Sequence, residues 1–155
     1  MFLFLRLILA HFLADFPLQP DLIYKVKLRS FWGQALHAAI FTICSIVLCW
    51  PFLRIKALWI LIVFLGTTHL LIDCLKIRYF NTEKHRVGTF LADQALHVAA
   101  ISVIFLTNLK GLSYSPQIPS LVGRLYANDI LIIFLIICLI VAFVVKRIRI
   151  LCRPQ

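Results

Sequence analysis

Three of the chain's six acids, Asp15, Asp73 and Asp93, lie inside long apolar runs, and so do four of its five histidines, His11, His37, His69 and His97. A charged side chain at the centre of a bilayer costs about 2.5 to 3.5 kcal/mol on insertion scales, so seven such groups need partners. The spacing offers them. His11 and Asp15, His69 and Asp73, and Asp93 and His97 each stand four residues apart, which on a helix puts both members on one face, roughly 6 Å apart. Carboxylates and imidazoles in this mixture are the donor set of Zn, Fe, Mn or Ni, with Zn the first choice. Helical bundles build metal sites by the same device, two ligands from one turn. His11, Asp15, His37, His69, Asp73, Asp93 and His97 are therefore the candidate ligands of a divalent transition metal.

Two other readings fit the same residues. A hydrogen-bonded polar cluster that only glues helices would need no ion, although such bonds average under about 1 kcal/mol in membranes. A proton or ion pathway would also use His and Asp, but no ionisable residue apart from Arg6 falls in the other half of the spans. Bis-histidine haem ligation is weaker, because axial histidines do not each require a carboxylate in register. Gln34 and Gln94 are candidates to orient ligand histidines through a hydrogen bond. Lys76, Arg78, Lys84 and Arg86, with His85, form a rim suited either to an anionic lipid headgroup or simply to water.

Five apolar stretches are long enough to position these groups across a bilayer: residues 2–18, 31–53, 57–75, 87–109 and 127–145. The expected fold is all-α, a single transmembrane domain over residues 1–155 with about five helices. Pro17, Pro20 and Pro51 stop the first two spans, since proline cannot continue a helix. Trp32, Trp50, Trp59 and Tyr79 fall near span ends, where aromatic belts form. The segment 111–123, with Pro116 and Pro119, is the one longer loop. His11 and Asp15 interrupt the first run, which therefore reads as a retained helix and not as a signal peptide.

Eleven basic residues share one side: Lys25, Lys27 and Arg29; Lys76, Arg78, Lys84 and Arg86; Lys146, Arg147, Arg149 and Arg153. The opposite loops hold Arg54, Lys56, Lys110 and Arg124. The positive-inside rule then places the N-terminus outside and the C-terminus in the cytoplasm. Arg6 is expected to snorkel to the outer interface, and Asp129 reads as an interface residue. By helical rise, the seven His and Asp groups occupy one layer roughly 5 to 14 Å below the cytoplasmic surface.

The chain also repeats. Gln34-Ala35-Leu36-His37-Ala38-Ala39 returns as Gln94-Ala95-Leu96-His97-Val98-Ala99, and His11-x-Leu13-x-Asp15 returns as His69-x-Leu71-x-Asp73. Two helices form each unit, so residues 1–53 and 57–109 make a parallel repeat about an axis along the membrane normal. The fifth helix, 127–147, stands outside it. His37 is the least supported ligand, because its unit carries Gly33 where the second carries Asp93.

The formal net charge is +10, yet 63% of the residues are hydrophobic and only 14% charged. In a chain this apolar the basic residues serve topology and anionic lipid, and nucleic acid is excluded as a partner. The five cysteines form no CxxC pair, and no disulfide framework is expected.

A buried His/Asp layer beneath a basic rim suggests a metal-dependent hydrolase. It would act at the cytoplasmic leaflet on a lipid or a lipid-linked phosphate ester, the metal acidifying a bound water. The alternatives are a metal-ion or proton transport module and a small metal-binding subunit of a larger complex, joined through the apolar fifth helix.

The run His11-Phe12-Leu13-Ala14-Asp15-Phe16-Pro17-Leu18-Gln19 resembles the hallmark of a bacterial inner-membrane family of unknown function, DUF3307, except that glycine is usual at Ala14. His69-Leu70-Leu71-Ile72-Asp73-Cys74-Leu75-Lys76 and Asp93-Gln94-Ala95-Leu96-His97 also resemble family motifs, and the likeness extends to about residue 110. The resemblance implies an inner-membrane location. It also implies a loose kinship with membrane-bound metal-dependent hydrolases, which supports hydrolysis only by analogy.

Overall fold

The computed structural model describes residues 1–79, 86–114, 121–145 and 148, and the fold is all-α. The elements are α1 (Phe2–Asp15), α2 (Asp21–Arg29), α3 (Phe31–Leu48), α4 (Lys56–Tyr79), α5 (Arg86–Ile101), α6 (Leu121–Ala127) and α7 (Asp129–Leu139). A 3-10 segment, Ser102–Leu106, continues α5, and a π segment, Ile140–Val144, continues α7.

Among the described residues three helices are long and apolar enough to cross a bilayer: Phe31–Leu48, Lys56–Tyr79 and Val87–Leu106. Leu121–Ala127 and Asp129–Val144 qualify together, but as a pair bent by 69°. The expected fifth helix, 127–145, is present as α7 with its π continuation, and Asn128 stands at its start, where its side-chain oxygen caps α7 by accepting from Leu131 N at 3.1 Å; the departure is α6, which begins inside the segment 111–123 that reads as a loop. An N-cap satisfies one of the orphan donors that begin every helix, so it restarts the chain in a new direction.

The first expected span departs most from its sequence reading. It stops at Asp15, and its 14 residues cover about 21 Å at helical rise, short of the roughly 30 Å hydrocarbon core. Its apolar residues are buried around the whole circumference, the mark of a central helix rather than a lipid-facing one. It packs against α3, α5 and α7, while α3 packs on α4 and α4 on α5. The contacts α1–α3–α4–α5–α1 close a ring. Gly66 lets α3 and α4 approach, since a Cβ there would meet the Thr42 hydroxyl; small residues at crossings are how membrane helices pack.

Arg6 does not snorkel. Its side chain is fully buried. It pairs with Asp129 and donates to the carbonyl oxygens of Tyr126 and Phe2, and its guanidinium lies 3.3 Å from the Phe2 ring centroid. Arg6 therefore ties α1 to the α6–α7 corner. Tyr126 adds a 2.8 Å hydrogen bond to the Leu48 carbonyl. Trp32, Trp50, Trp59 and Tyr79 are exposed, as side chains of an interfacial belt should be.

The first basic loop is also not a loop. Pro20 leads into α2 with Asp21 in its first turn and Lys27 and Arg29 in its last, the charge order a helix dipole favours. Leu22, Val26 and Leu28 are exposed, whereas Lys27 is buried. Ser30 then caps α3, its hydroxyl accepting from Gly33 N at 3.0 Å. A Cβ on Gly33 would collide with the Val26 carbonyl, so glycine is what lets α2 press against α3.

Candidate metal centre

All seven candidate ligands come together. His11 and His37 are fully buried, His69, Asp73, Asp93 and His97 are nearly so, and the Asp15 side chain is 8% exposed. α1 supplies His11 and Asp15, α3 His37, α4 His69 and Asp73, and α5 Asp93 and His97. The imidazoles touch. His11 stacks on His97 with centroids 4.8 Å apart, and His69 lies 4.2 Å from His97 and 5.0 Å from His37.

Each carboxylate divides its oxygens between an outer donor and the imidazoles. Asp15 takes the Gln94 amide on Oδ2 at 3.1 Å. Its Oδ1 faces His37 Nε2 at 3.1 Å, His69 Nε2 at 3.5 Å and His11 Nδ1 at 3.8 Å. Asp73 takes Lys27 Nζ on Oδ1 at 2.7 Å and turns Oδ2 to His69 Nε2 at 3.5 Å and His37 Nε2 at 3.8 Å. Asp93 takes Lys76 Nζ on Oδ2 at 2.6 Å, and its Oδ1 lies 3.8 Å from His97 Nδ1.

The histidines divide their nitrogens in the same way. His97 Nδ1 donates to the Asp93 carbonyl oxygen at 2.8 Å, which fixes Nε2 as the nitrogen with the free lone pair. His11 Nε2 donates to Gln94 Oε1 at 3.3 Å, leaving Nδ1 free. Among the described residues His97 Nε2, His11 Nδ1, both His69 ring nitrogens, Asp93 Oδ1 and Asp73 Oδ2 are buried with no hydrogen-bond partner. Buried polar atoms are rarely left so. The set fits a metal ion: ligand histidines characteristically tie one ring N–H to an oxygen and present the other nitrogen to the metal.

The outer shell differs from the sequence reading. Gln94 plays its expected part, bridging His11, Asp15 and Asp93. Gln34 does not orient a histidine; it accepts from the Cys74 thiol at 2.7 Å. Lys76 is not a free headgroup binder, because its ammonium is spent on Asp93. Arg78 is exposed beside Tyr79. Lys84, His85 and the Arg86 side chain lie outside the described residues.

Two contributors escaped the sequence reading. Lys27 looks like any positive-inside loop residue until α2 folds it inward. Gln19, whose amide lies 3.0 Å from His37 Nδ1, carried a signal, for it closes the His11–Gln19 run.

No curated protein and no solved structure matches the chain. A family model does, over residues 3–121, which include every ligand candidate and every outer donor named above; the chain belongs to the family described as protein of unknown function, DUF3307.

Proposed function

We propose that this chain is a membrane-embedded, metal-dependent hydrolase acting at the cytoplasmic leaflet on a lipid or lipid-linked phosphate ester. The observation that carries the reading is the bare His97 Nε2. It is buried, its tautomer is fixed by the Asp93 carbonyl, and it belongs with Asp73 and Asp93 to a group whose donor atoms lie within 4.8 Å of one another. A divalent ion held there, Zn before Fe, Mn or Ni, would supply an acidified water and polarise a phosphoryl or acyl oxygen.

The protein's own contribution is orientation. Lys27, Lys76 and Gln94 hold the outer carboxylate oxygens so that the inner ones converge. Lys76 is about one-third exposed, which supports an approach of substrate from its end of the bundle. Lys25, Arg29 and Arg78 are exposed on the two helices, α2 and α4, that the Lys27–Asp73 pair joins, and they suit an anionic headgroup.

The same basic end supports an N-out, C-in topology in a bacterial inner membrane. A C-terminal reporter active only in the periplasm would overturn that. The ring α1–α3–α4–α5 is the neighbour order that a parallel two-helix repeat produces, with the short, central α1 as a member and the bent α6–α7 pair outside it. An experimental structure in which α1–α3 and α4–α5 fail to superpose by a half-turn would remove the repeat. The exposed apolar residues of α7 and its π continuation, Ile130, Phe134, Ile137 and Val141, face lipid or a membrane partner.

The test is turnover. Detergent-purified, metal-loaded protein should release phosphate or headgroup from one member of a phospholipid and polyprenyl-phosphate panel, and Asp73→Ala should abolish release. Metal-loaded protein inert to the whole panel would count against hydrolysis. A second reading rests on the Lys27–Asp73 and Lys76–Asp93 pairs, which neutralise two of the three carboxylates without an ion. It makes the layer a charge-balanced helix lock, and it predicts metal-free protein of normal stability.

A further inference from the structure

The seven ligands do not describe one ion. A metal with ligands 2.0–2.2 Å away in tetrahedral array sets neighbouring ligand atoms about 3.3 Å apart. Asp15 Oδ1 meets that spacing with His37 Nε2 at 3.1 Å and His69 Nε2 at 3.5 Å, and His11 Nδ1 follows at 3.8 Å. One oxygen and three nitrogens are the donor number of a tetrahedral ion; His11, Asp15 and His69 offer donor atoms within 4.8 Å of one another, and His37 groups with His69 and Asp73. Asp73, Asp93 and His97 form another group whose donor atoms lie within 4.8 Å of one another, and it shares no residue with the group His11, Asp15 and His69. The unpartnered atoms fall in both sets, His11 Nδ1 and the His69 ring nitrogens in the first, His97 Nε2, Asp93 Oδ1 and Asp73 Oδ2 in the second.

We infer that the chamber is a two-metal centre, one ion held by His11, Asp15, His37 and His69 and a second by Asp73, Asp93 and His97, with Asp73 between them. Asp73 is the bridge because its Oδ2 reaches the first group, 3.5 Å from His69 Nε2 and 3.8 Å from His37 Nε2, while its carboxylate belongs to the second. Two-metal sites hold their ions about 3.5 to 4 Å apart and clamp the attacking and leaving oxygens of a displacement together. The two positions differ in kind. Three imidazoles and one carboxylate suit Zn; two carboxylates and one imidazole are harder and suit Mn or Fe. The first HxLxD motif anchors one position whole, while the second divides, His69 going to the first ion and Asp73 to the second; that second position gains Asp93 where the first unit keeps Gly33 to seat α2.

This inference rests on the metal reading, and the experiment separates them. Tag-free wild-type chain, purified in detergent and equilibrated with Zn2+, should carry two ions by elemental analysis, and Asp93→Ala should carry one. With Mn2+ loaded to saturation, the wild-type protein should show the multiline electron-spin resonance of a coupled pair, a readout that does not depend on any variant folding. One ion and an uncoupled spectrum would overturn the pair and leave a single-metal centre. No ion would overturn both readings. Two ions in Asp93→Ala as in wild type would remove Asp93 and its group from the site.

Discussion

Lys27 Nζ lies 2.7 Å from Asp73 Oδ1, joining the short surface helix α2 to the middle of the polar layer on α4. Both side chains are buried, at 8% and 1% exposure. Removing one partner of a buried pair costs about 3 to 5 kcal/mol, because the other charge is left without compensation. Lys27→Met should therefore lower the melting temperature of the detergent-solubilised protein sharply. Lys25→Met, on the exposed side of the same helix, should leave it unchanged. Equal melting temperatures for the two variants would show that the pair contributes nothing to stability.

Gly33→Ala should act at a distance from the layer and still disturb it. The added methyl meets the Val26 carbonyl and lies 2.7 Å from Lys27 N, and backbone cannot swing aside as a side chain can. α2 must lift, carrying Lys27 from Asp73. Protease nicking within α2 should rise several-fold relative to wild type. Gly88→Ala meets open space and replaces the poorer helix former, so it should be neutral or slightly stabilising.

What the sequence made legible, and what it did not, divides along one physical line. His11, Asp15, His69, Asp73, Asp93 and His97 stood out because ionisable groups in apolar runs are expensive, and the i, i+4 spacing told which face each pair shared. A lysine between apolar runs carries no such penalty. Lys27 was indistinguishable from Lys25, and only the tertiary approach permitted at Gly33 separates them. Arg6 failed for the opposite reason. Its place near a helix start suggested an escape to the interface, whereas its partner Asp129 lies 123 residues away, beyond any periodicity. The short helix α6 was hidden because it starts at the end of the segment 111–123, whose prolines and glycines read as loop.

The Arg6–Asp129 pair gives a separable test of how the α6–α7 corner is held. Asp129→Ala removes a charged acceptor but leaves Arg6 the Tyr126 and Phe2 carbonyls, so it should cost about 2 kcal/mol. Arg6→Met should cost more, because it also frees those carbonyls. In a double-mutant cycle the two changes should be markedly less than additive, with thermal unfolding as the readout. Strict additivity would mean that Arg6 and Asp129 are not coupled and that the corner is held by its other contacts.

The last prediction concerns the two glutamines, which occupy equivalent places in the repeat but not in the structure. Gln94 accepts from His11 Nε2 and donates to Asp15 Oδ2 and Asp93 Oδ2, so one amide sets the orientation of three proposed ligands. Gln34 is turned to the Cys74 thiol. Loss of an outer-shell partner typically weakens metal affinity 10–100-fold without deleting a ligand. Gln94→Ala should accordingly keep the wild-type Zn2+ stoichiometry at saturation while its dissociation constant rises by one to two orders of magnitude, measured by competition with a chelator. Gln34→Ala should leave both quantities unchanged. The contrast guards against a trivial outcome, since a general loosening of the bundle would weaken binding in either variant. If Gln34→Ala proved as damaging as Gln94→Ala, the orienting role would belong to the repeat as a whole and not to the asymmetric network around His11 and Asp15.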